Sequence, residues 1–279
     1  MAVILDGKNL RDKILDKLQK KIEKLEVKPS LAVILVGDNP ASQIYVNNKK
    51  KIAEKIGINS QIYKFSQNIS EKELLNKIEE LNNDENVDAV LVQLPLPEHI
   101  SKDNVINSIK PEKDVDGFTP YNVGKLFSGE TPIVYPCTPK GILLLLDEYG
   151  ICVEGKHAVV IGRSNIVGRP VAQMLLDRNA TVTMCHSYTK NLEQITKTAD
   201  IVVSAVGKNI IKGEKLKSDC IVIDVGIFKD ANGKTRGDVD FDSASKIASY
   251  ISPVPGGVGP MTIASLMINT VELCALKLK

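Results

Sequence analysis

Apolar side chains recur at Leu10, Ile14, Leu18, Ile22 and Leu25, the spacing of one face of an α-helix. The pattern then changes. "LAVILVG" (31–37), "INSQIYKF" (58–65) and "VDAVLVQLP" (87–95) are short apolar runs of strand length, with helical periodicity at 42–56 and 71–82 between them. The order is β-α-β-α-β, and near-continuous apolar strands predict a parallel sheet covered on both faces. Residues 111–141 are rich in Pro, Gly and Asp and have little periodicity, which predicts a loop ending at a domain boundary. A helix over 138–149 follows, closed by Gly150. A second alternation starts at "KHAVVIGRS", with strands predicted at 157–161, 181–185, 200–205 and 220–225 and helices at 168–179 and 191–197. Apolar residues at 263, 266, 267, 270, 271, 274 and 275 predict a final amphipathic helix that packs back on the first domain. The fold class is therefore α/β, with two doubly wound domains. The predicted division is 1–136 with the helix 261–279, and 137–260 as a Rossmann-type domain.

Composition narrows the function classes. A chain of 279 residues with 43% hydrophobic and 25% charged residues predicts a soluble protein of two domains. A net charge of +2 gives no electrostatic case for nucleic acid or an anionic membrane. The start lacks a basic signal-peptide region, and the run "GILLLL" is far short of the roughly 20 apolar residues that span a bilayer. The five cysteines (137, 152, 185, 220, 274) show no CxxC, which predicts a reducing cytoplasm and no disulfide framework. Histidines at 99, 157 and 186 are too far apart for a sequence-local metal site, so no metal is expected.

"VVIGRSNIVGRPVA" has the layout strand, glycine, polar turn, glycine, helix. Gly162 suits a tight turn and Gly168 lets a helix N-terminus approach a phosphate, although an ordinary turn would use the same residues. NAD sites commonly place an acid at the end of the next strand. Here "TVTMCHSYTK" has none, and Arg163, His186, Ser187 and Lys190 are nearby donors, so the chemistry leans toward NADP. His186 as a plain loop residue is the competing reading.

The run "YVNNKKK" (45–51) is the other informative stretch. At about 100° per residue from Tyr45, Ile52, Ile56, Ala53 and Val46 form an apolar arc, Lys49 falls inside it, and Lys50 and Lys51 fall outside. Lys49 either snorkels to solvent or is a partly desolvated ammonium suited to proton transfer. Tyr45 either holds a flat ligand or packs. Gln93 ends a parallel strand, where open α/β sheets bind ligands. "KDVDG" offers Asp114 and Asp116, as a site or as an Asx-type turn. "PVPGGVGPMT" sets Gly256 and Gly259 for close backbone approach, with Thr262 as an N-cap or a ligand contact.

Together the motifs "VGDNPASQIYVNNKKK", "VQLPLP", "PEKDVDGFTPYNVG", "PCTPKG", "VIGRSNIVGRP", "SAVG", "IDVGI", "GDVDF" and "PVPGGVGPMT" resemble the methylenetetrahydrofolate dehydrogenase/methenyltetrahydrofolate cyclohydrolase family over residues 36–262. The resemblance implies a folate-binding catalytic domain at 1–136, an NADP-binding domain at 137–260, a cleft between them, and a homodimer. It implies two consecutive reactions, oxidation of the methylene-bridged folate by NADP and hydrolysis of the methenyl product to 10-formyltetrahydrofolate. Lys49 matches the lysine of the hydrolytic step, Gln93 the glutamine that contacts it, Tyr45 the tyrosine that stacks on the benzoyl ring, and Asp116 the aspartate that holds the pterin. Gly256, Gly259 and Thr262 match positions beside the folate. Arg163, Ser164 and Ser187 match the surroundings of the 2′-phosphate, and Gly162 and Gly168 the phosphate turn. Ser187 stands where the family often has a second basic residue, which weakens the NADP signal. A dehydrogenase-only relative, which loss of Tyr45, Lys49 or Gln93 would favour, another two-domain dehydrogenase, and a silent binding protein are the competing classes.

Overall fold

The computed structural model describes residues 1–277. In chain order the elements are β1 (Val3–Ile4), α1 (Gly7–Glu23), β2 (Ser30–Val36), α2 (Pro40–Lys55), β3 (Asn59–Phe65), α3 (Glu71–Asn83), β4 (Ala89–Val92), α4 (Lys102–Ser108), α5 (Pro120–Phe127) and α6 (Cys137–Glu148). Then follow β5 (His157–Ile161), α7 (Gly168–Leu176), β6 (Thr181–Cys185), α8 (Leu192–Thr196), β7 (Ile201–Ser204), β8 (Ile221–Asp224), β9 (Phe228–Lys229), β10 (Thr235–Arg236), α9 (Phe241–Ala244), β11 (Tyr250–Ile251) and α10 (Val258–Lys277). The chain forms two compact units. One joins Met1–Asp12 to Thr138–Ser265, and the other joins Lys13–Cys137 to the stretch from Leu266 onward.

The second of these units carries a three-stranded parallel sheet in the order β3-β2-β4. Central β2 pairs on both edges and is almost wholly buried, which is why its sequence is a continuous apolar run. β3 pairs on one edge only, and its exposure alternates along "NSQIYKF". A capping box between Ser70 and Glu73 starts α3, which sets Leu74, Ile78 and Leu81 against Ala32, Ile34, Val36, Val90 and Val92. Asn39 caps α2 by accepting from Ser42 N, with Pro40 in its first turn.

The expected loop at 111–141 contains α5. Eight residues with Gly124 among them give too little periodicity to predict it. Tertiary hydrogen bonds supply what local pattern lacks. The buried Asn122 donates to Asp114 Oδ2 at 3.0 Å and accepts from Ile133 N at 3.0 Å.

The other unit carries a six-stranded parallel sheet in the order β1-β11-β8-β7-β5-β6. Its last five strands give the doubly wound order 2-1-3-4-5, which reverses between β5 and β7. Here the structure departs from the expected division at 136. β1 completes this sheet, with Val3 opposite Tyr250 and Ile4 opposite Ile251, so residues 1–12 lie with residues 138–265. Two-residue strands carry no periodicity. The attachment comes from pairing, with Leu5 buried and its amide donating to Ile251 O at 2.9 Å. The final helix begins at Val258, and the three-stranded unit takes it from Leu266; residues 278–279 lie outside the described residues. α10 has the length and composition of a membrane span, but 67% of that span is buried, as in a core helix.

Two buried aspartates brace the ends of this sheet. Asp224, the last residue of β8, accepts from Gly226 N (3.1 Å), Asp238 N (2.9 Å) and Val239 N (2.9 Å). A Cβ on Gly237 would lie 2.0 Å from Asp224 Oδ2, so glycine there lets the carboxylate reach the backbone. Burial pushes the Asp224 carboxyl up to about 7, against the pull of the Val239 and Asp238 amides and with a further push from Asp238's charge. A carboxyl raised in the folded state favours folding below its unfolded value of ~4 and loses that contribution as pH climbs through the folded value. Denaturant unfolding should therefore show native protein losing about 2–3 kcal/mol of stability relative to Asp224→Asn between pH 5 and 8. A pH-independent difference would contradict this account.

Candidate active site

Lys49 lies in the third turn of α2 and is partly buried. Its Nζ donates to Gln93 Oε1 at 3.0 Å. Gln93 directly follows β4, and its backbone N donates to Ile34 O at 2.9 Å, which extends the ladder by one bond. Its Nε2 donates to Leu94 O at 2.6 Å. With the amide nitrogen committed there, the carbonyl end faces the lysine.

The third member is Asp116. Its segment is pinned on both sides. Asp114, buried two residues earlier, accepts from Phe118 N (3.1 Å), Thr119 N (2.8 Å) and Asn122 Nδ2 (3.0 Å). Asn269 Nδ2 donates to Val115 O at 2.9 Å and to Tyr135 O at 3.0 Å. Gly117 turns with φ +69° where a Cβ would meet Pro136 N and Val134 O at 3.0 Å. Of the two aspartates in "KDVDG", Asp114 is the one that makes the turn. Burial raises the Asp116 carboxyl to about 6, opposed by the charge of Lys49 and a hydrogen bond from the Cys137 thiol, while Asp114 adds to the rise. Lys49, Gln93 and Asp116 are therefore one interacting group.

Tyr45 differs from the helical-wheel expectation. The wheel sets it within the apolar arc, either packing or holding a flat ligand, and at 47% exposed it does not pack. The buried face is Ser42, Val46 and Ala53, continued by Ile56, because Ser42 rather than Tyr45 turns inward in the first turn. Tyr45 therefore presents an accessible ring one turn before Lys49. Lys50 pairs with Glu54 at 3.6 Å, and Lys51 is exposed.

In the six-stranded unit, Gly162 leaves β5 with φ +113°. A Cβ there would lie 2.5 Å from Ala205 O, and one on Gly168 would lie 2.0 Å from Gly162 O. Both glycines are required by backbone meeting backbone, which folds the turn tightly onto the N-terminus of α7. Ser164 Oγ accepts from Val167 N (3.2 Å) and Gly168 N (3.4 Å), so it closes this turn. Exposed Arg163 and Ser187 and half-buried His186 follow the C-terminal ends of β5 and β6. Tyr188, which the sequence reading missed, joins them: the Arg163 guanidinium lies 5.9 Å from its ring centroid and the His186 ring 6.1 Å from it.

Gly256 (φ +114°) accepts from Lys8 N at 3.0 Å through its carbonyl. Gly259 has open space where a side chain would be. Thr262 is not an N-cap, since α10 starts four residues earlier; its hydroxyl lies 3.0 Å from Thr138 Oγ1 and 3.4 Å from Val258 O.

Two family models match the chain. The catalytic domain of tetrahydrofolate dehydrogenase/cyclohydrolase matches residues 5–116, and the NAD(P)-binding domain matches residues 136–278. The chain belongs to the tetrahydrofolate dehydrogenase/cyclohydrolase family. The bifunctional protein FolD of Pediococcus pentosaceus is 54% identical over 98% of both chains. The crystal structure of the bifunctional FolD dehydrogenase/cyclohydrolase from Campylobacter jejuni is 51% identical, with a TM-score of 0.97 over 99% of each chain. The FolD of Trypanosoma brucei, solved with NADP and an inhibitor, is 38% identical with a TM-score of 0.95, covering 100% of this chain and 99% of that one. The chain is thus a two-domain α/β enzyme with an NAD(P)-binding domain.

The positions missed from sequence, Asn269, Cys137 and Tyr188, left faint signals. Asn269 is a lone amide on the apolar face of α10, Cys137 lies in "PCTPKG", and Tyr188 follows the flagged histidine and serine. Replacing Lys49 with Met removes the cation that opposes Asp116's burial. Carboxyl NMR titration of Lys49→Met should show the Asp116 pKa rising above its native value of about 6. A fall, or no change, would separate the two groups.

Proposed function

We propose that the protein oxidises 5,10-methylenetetrahydrofolate to the methenyl compound with NADP and hydrolyses that product to 10-formyltetrahydrofolate. The hydrogen bond from Lys49 to Gln93, beside the raised carboxyl of Asp116, is the observation that carries this reading within the family. Hydride loss from the methylene bridge is assisted by the two flanking nitrogens and leaves a cation, so it needs orientation more than a base. When bound, NADP supplies the hydride acceptor. Hydrolysis needs proton movement, since water loses a proton as it attacks and a nitrogen gains one as its bond to carbon breaks. We assign that proton to Lys49, a reading supported by the bond from its Nζ to Gln93 Oε1. Above about pH 6 Asp116 is a carboxylate, suited to accept from the N–H groups of the pterin. Tyr45 offers an accessible ring for the benzoyl group. The open space at Gly259 suits a ligand that approaches the backbone.

Support for NADP over NAD is the lack of an acid after β6, with Arg163, His186 and Ser187 as donors there. A carboxylate would repel the 2′-phosphate. Homodimerisation, a cytoplasmic location and a place in purine synthesis belong to the same proposal and rest on family membership alone.

Purified protein should reduce NADP in the presence of methylenetetrahydrofolate, faster than NAD, with methenyl-folate absorbance rising and then decaying. No reduced nicotinamide with either nucleotide would overturn the dehydrogenase. Lys49→Ala should lose hydrolysis by about 100-fold or more while hydride transfer falls much less. Hydrolysis at the native rate would remove Lys49 from its role.

A further inference from the structure

The six-stranded sheet reverses order between β5 and β7, and the crevice at such a reversal is where doubly wound sheets bind ligands. One wall is the turn from Gly162 to Gly168. The other is the partly exposed stretch after β7, Ala205 to Lys208, whose Ala205 carbonyl sits where a Gly162 side chain would be. This second wall has no strand or helix of its own. Ala205 N ties its start to Ile161 O at 2.8 Å, and the rest is held from beneath by a side chain 30 or more positions away. Asp238, with no exposed surface, accepts through Oδ2 from Ser204 Oγ (2.9 Å) and Val206 N (2.7 Å), and through Oδ1 from Lys208 N (2.8 Å).

Asp238 is itself fixed. Its amide donates to Asp224 Oδ1 at 2.9 Å, and its carbonyl accepts from Ile210 N (2.9 Å) and Ile211 N (3.1 Å). A Cβ on Gly226 would lie 1.8 Å from Asp238 Oδ1, so glycine at that position admits the carboxylate. A buried carboxylate that spends its acceptors on one exposed loop specifies that loop's position.

We propose that Asp238 is a positioning residue for the nucleotide, acting through the 205–208 loop to fix the second wall of the dinucleotide crevice. This rests on the reading that NADP lies against the Gly162–Gly168 turn. An asparagine has one acceptor oxygen where the carboxylate has two, so in Asp238→Asn either Lys208 N or the Ser204–Val206 pair faces an amide N–H.

The bifunctional enzyme contains its own control, because hydrolysis of supplied methenyl-folate uses no nucleotide. In Asp238→Asn the Kd for NADP, measured by titration, and the KM for NADP should rise about tenfold or more. Hydrolysis should stay within about twofold of native. An NADP Kd within about twofold of native, or a parallel loss of both activities in a folded variant, would overturn the proposal. If Asp238→Asn does not fold, Ser204→Ala decides: it removes one donor to the carboxylate, and a Kd raised about threefold with hydrolysis retained is the supporting result. An unchanged Kd in that variant overturns the proposal. Native protein that neither binds nor reduces NADP would remove the functional reading itself, a failure distinct from any of these.

Discussion

A buried carboxylate is costly unless its oxygens are hydrogen-bonded. Among the described residues four aspartates are buried, Asp88, Asp114, Asp224 and Asp238, and the last three brace loops around the two parallel sheets, where backbone amides answer each of them. Asp114 takes the amides of Phe118 and Thr119, Asp224 those of Gly226, Asp238 and Val239, and Asp238 those of Val206 and Lys208. Loops beyond a parallel strand have no ladder to order them, yet ligands of such sheets meet those loops. Each aspartate replaces the missing ladder with two or three hydrogen bonds to nearby backbone amides. Glycines at 226 and 237 are the local cost, since a Cβ at either would collide with a carboxylate.

Asp116 is the contrast that gives these aspartates their meaning. It sits two residues from Asp114, in a segment positioned for it; burial raises its carboxyl to about 6 and that of Asp224 to about 7, but Asp224 accepts from three backbone amides where Asp116 takes the Cys137 thiol. The fold satisfies the neighbour and leaves this one poised. Lys49's charge and the Cys137 thiol are what keep it from rising further. A site group held short of its preferred solvation draws its stabilisation from surrounding structure, here from Asp114 and Asn269.

The large elements were legible because their patterns are large. β2 and β4 are continuous apolar runs, α3 shows its capping box, and Lys49 stood out on its helical arc. What escaped was set by tertiary bonds rather than by periodicity. α5 depends on Asn122 and Asp114, and β1 on pairing with β11, 247 positions away. For Tyr45 the wheel leaves packing and ligand contact open, because it treats every apolar residue on the arc as a candidate for burial, and this one faces out. The aspartates were the hardest case. "DVDG", "IDVG" and "GDVD" look alike, and only the count of donors around each carboxylate separates the braces from the chemically available group.

That separation follows the two units. The residues suited to moving protons, Lys49, Gln93 and Asp116, are assembled by the three-stranded unit, with α2, β4 and the Asp114 turn as scaffold. The residues suited to holding a nucleotide, Gly162, Gly168 and the 205–208 loop, are assembled by the six-stranded unit and braced by Asp238. Hydride transfer needs orientation and little proton chemistry, while hydrolysis needs a proton carrier and no nucleotide. On the proposed roles, each reaction makes its main demand on a different sheet. Substitutions beneath one sheet should then perturb one step more than the other, because the hydrogen bonds described for the two sets of groups have different donors and acceptors.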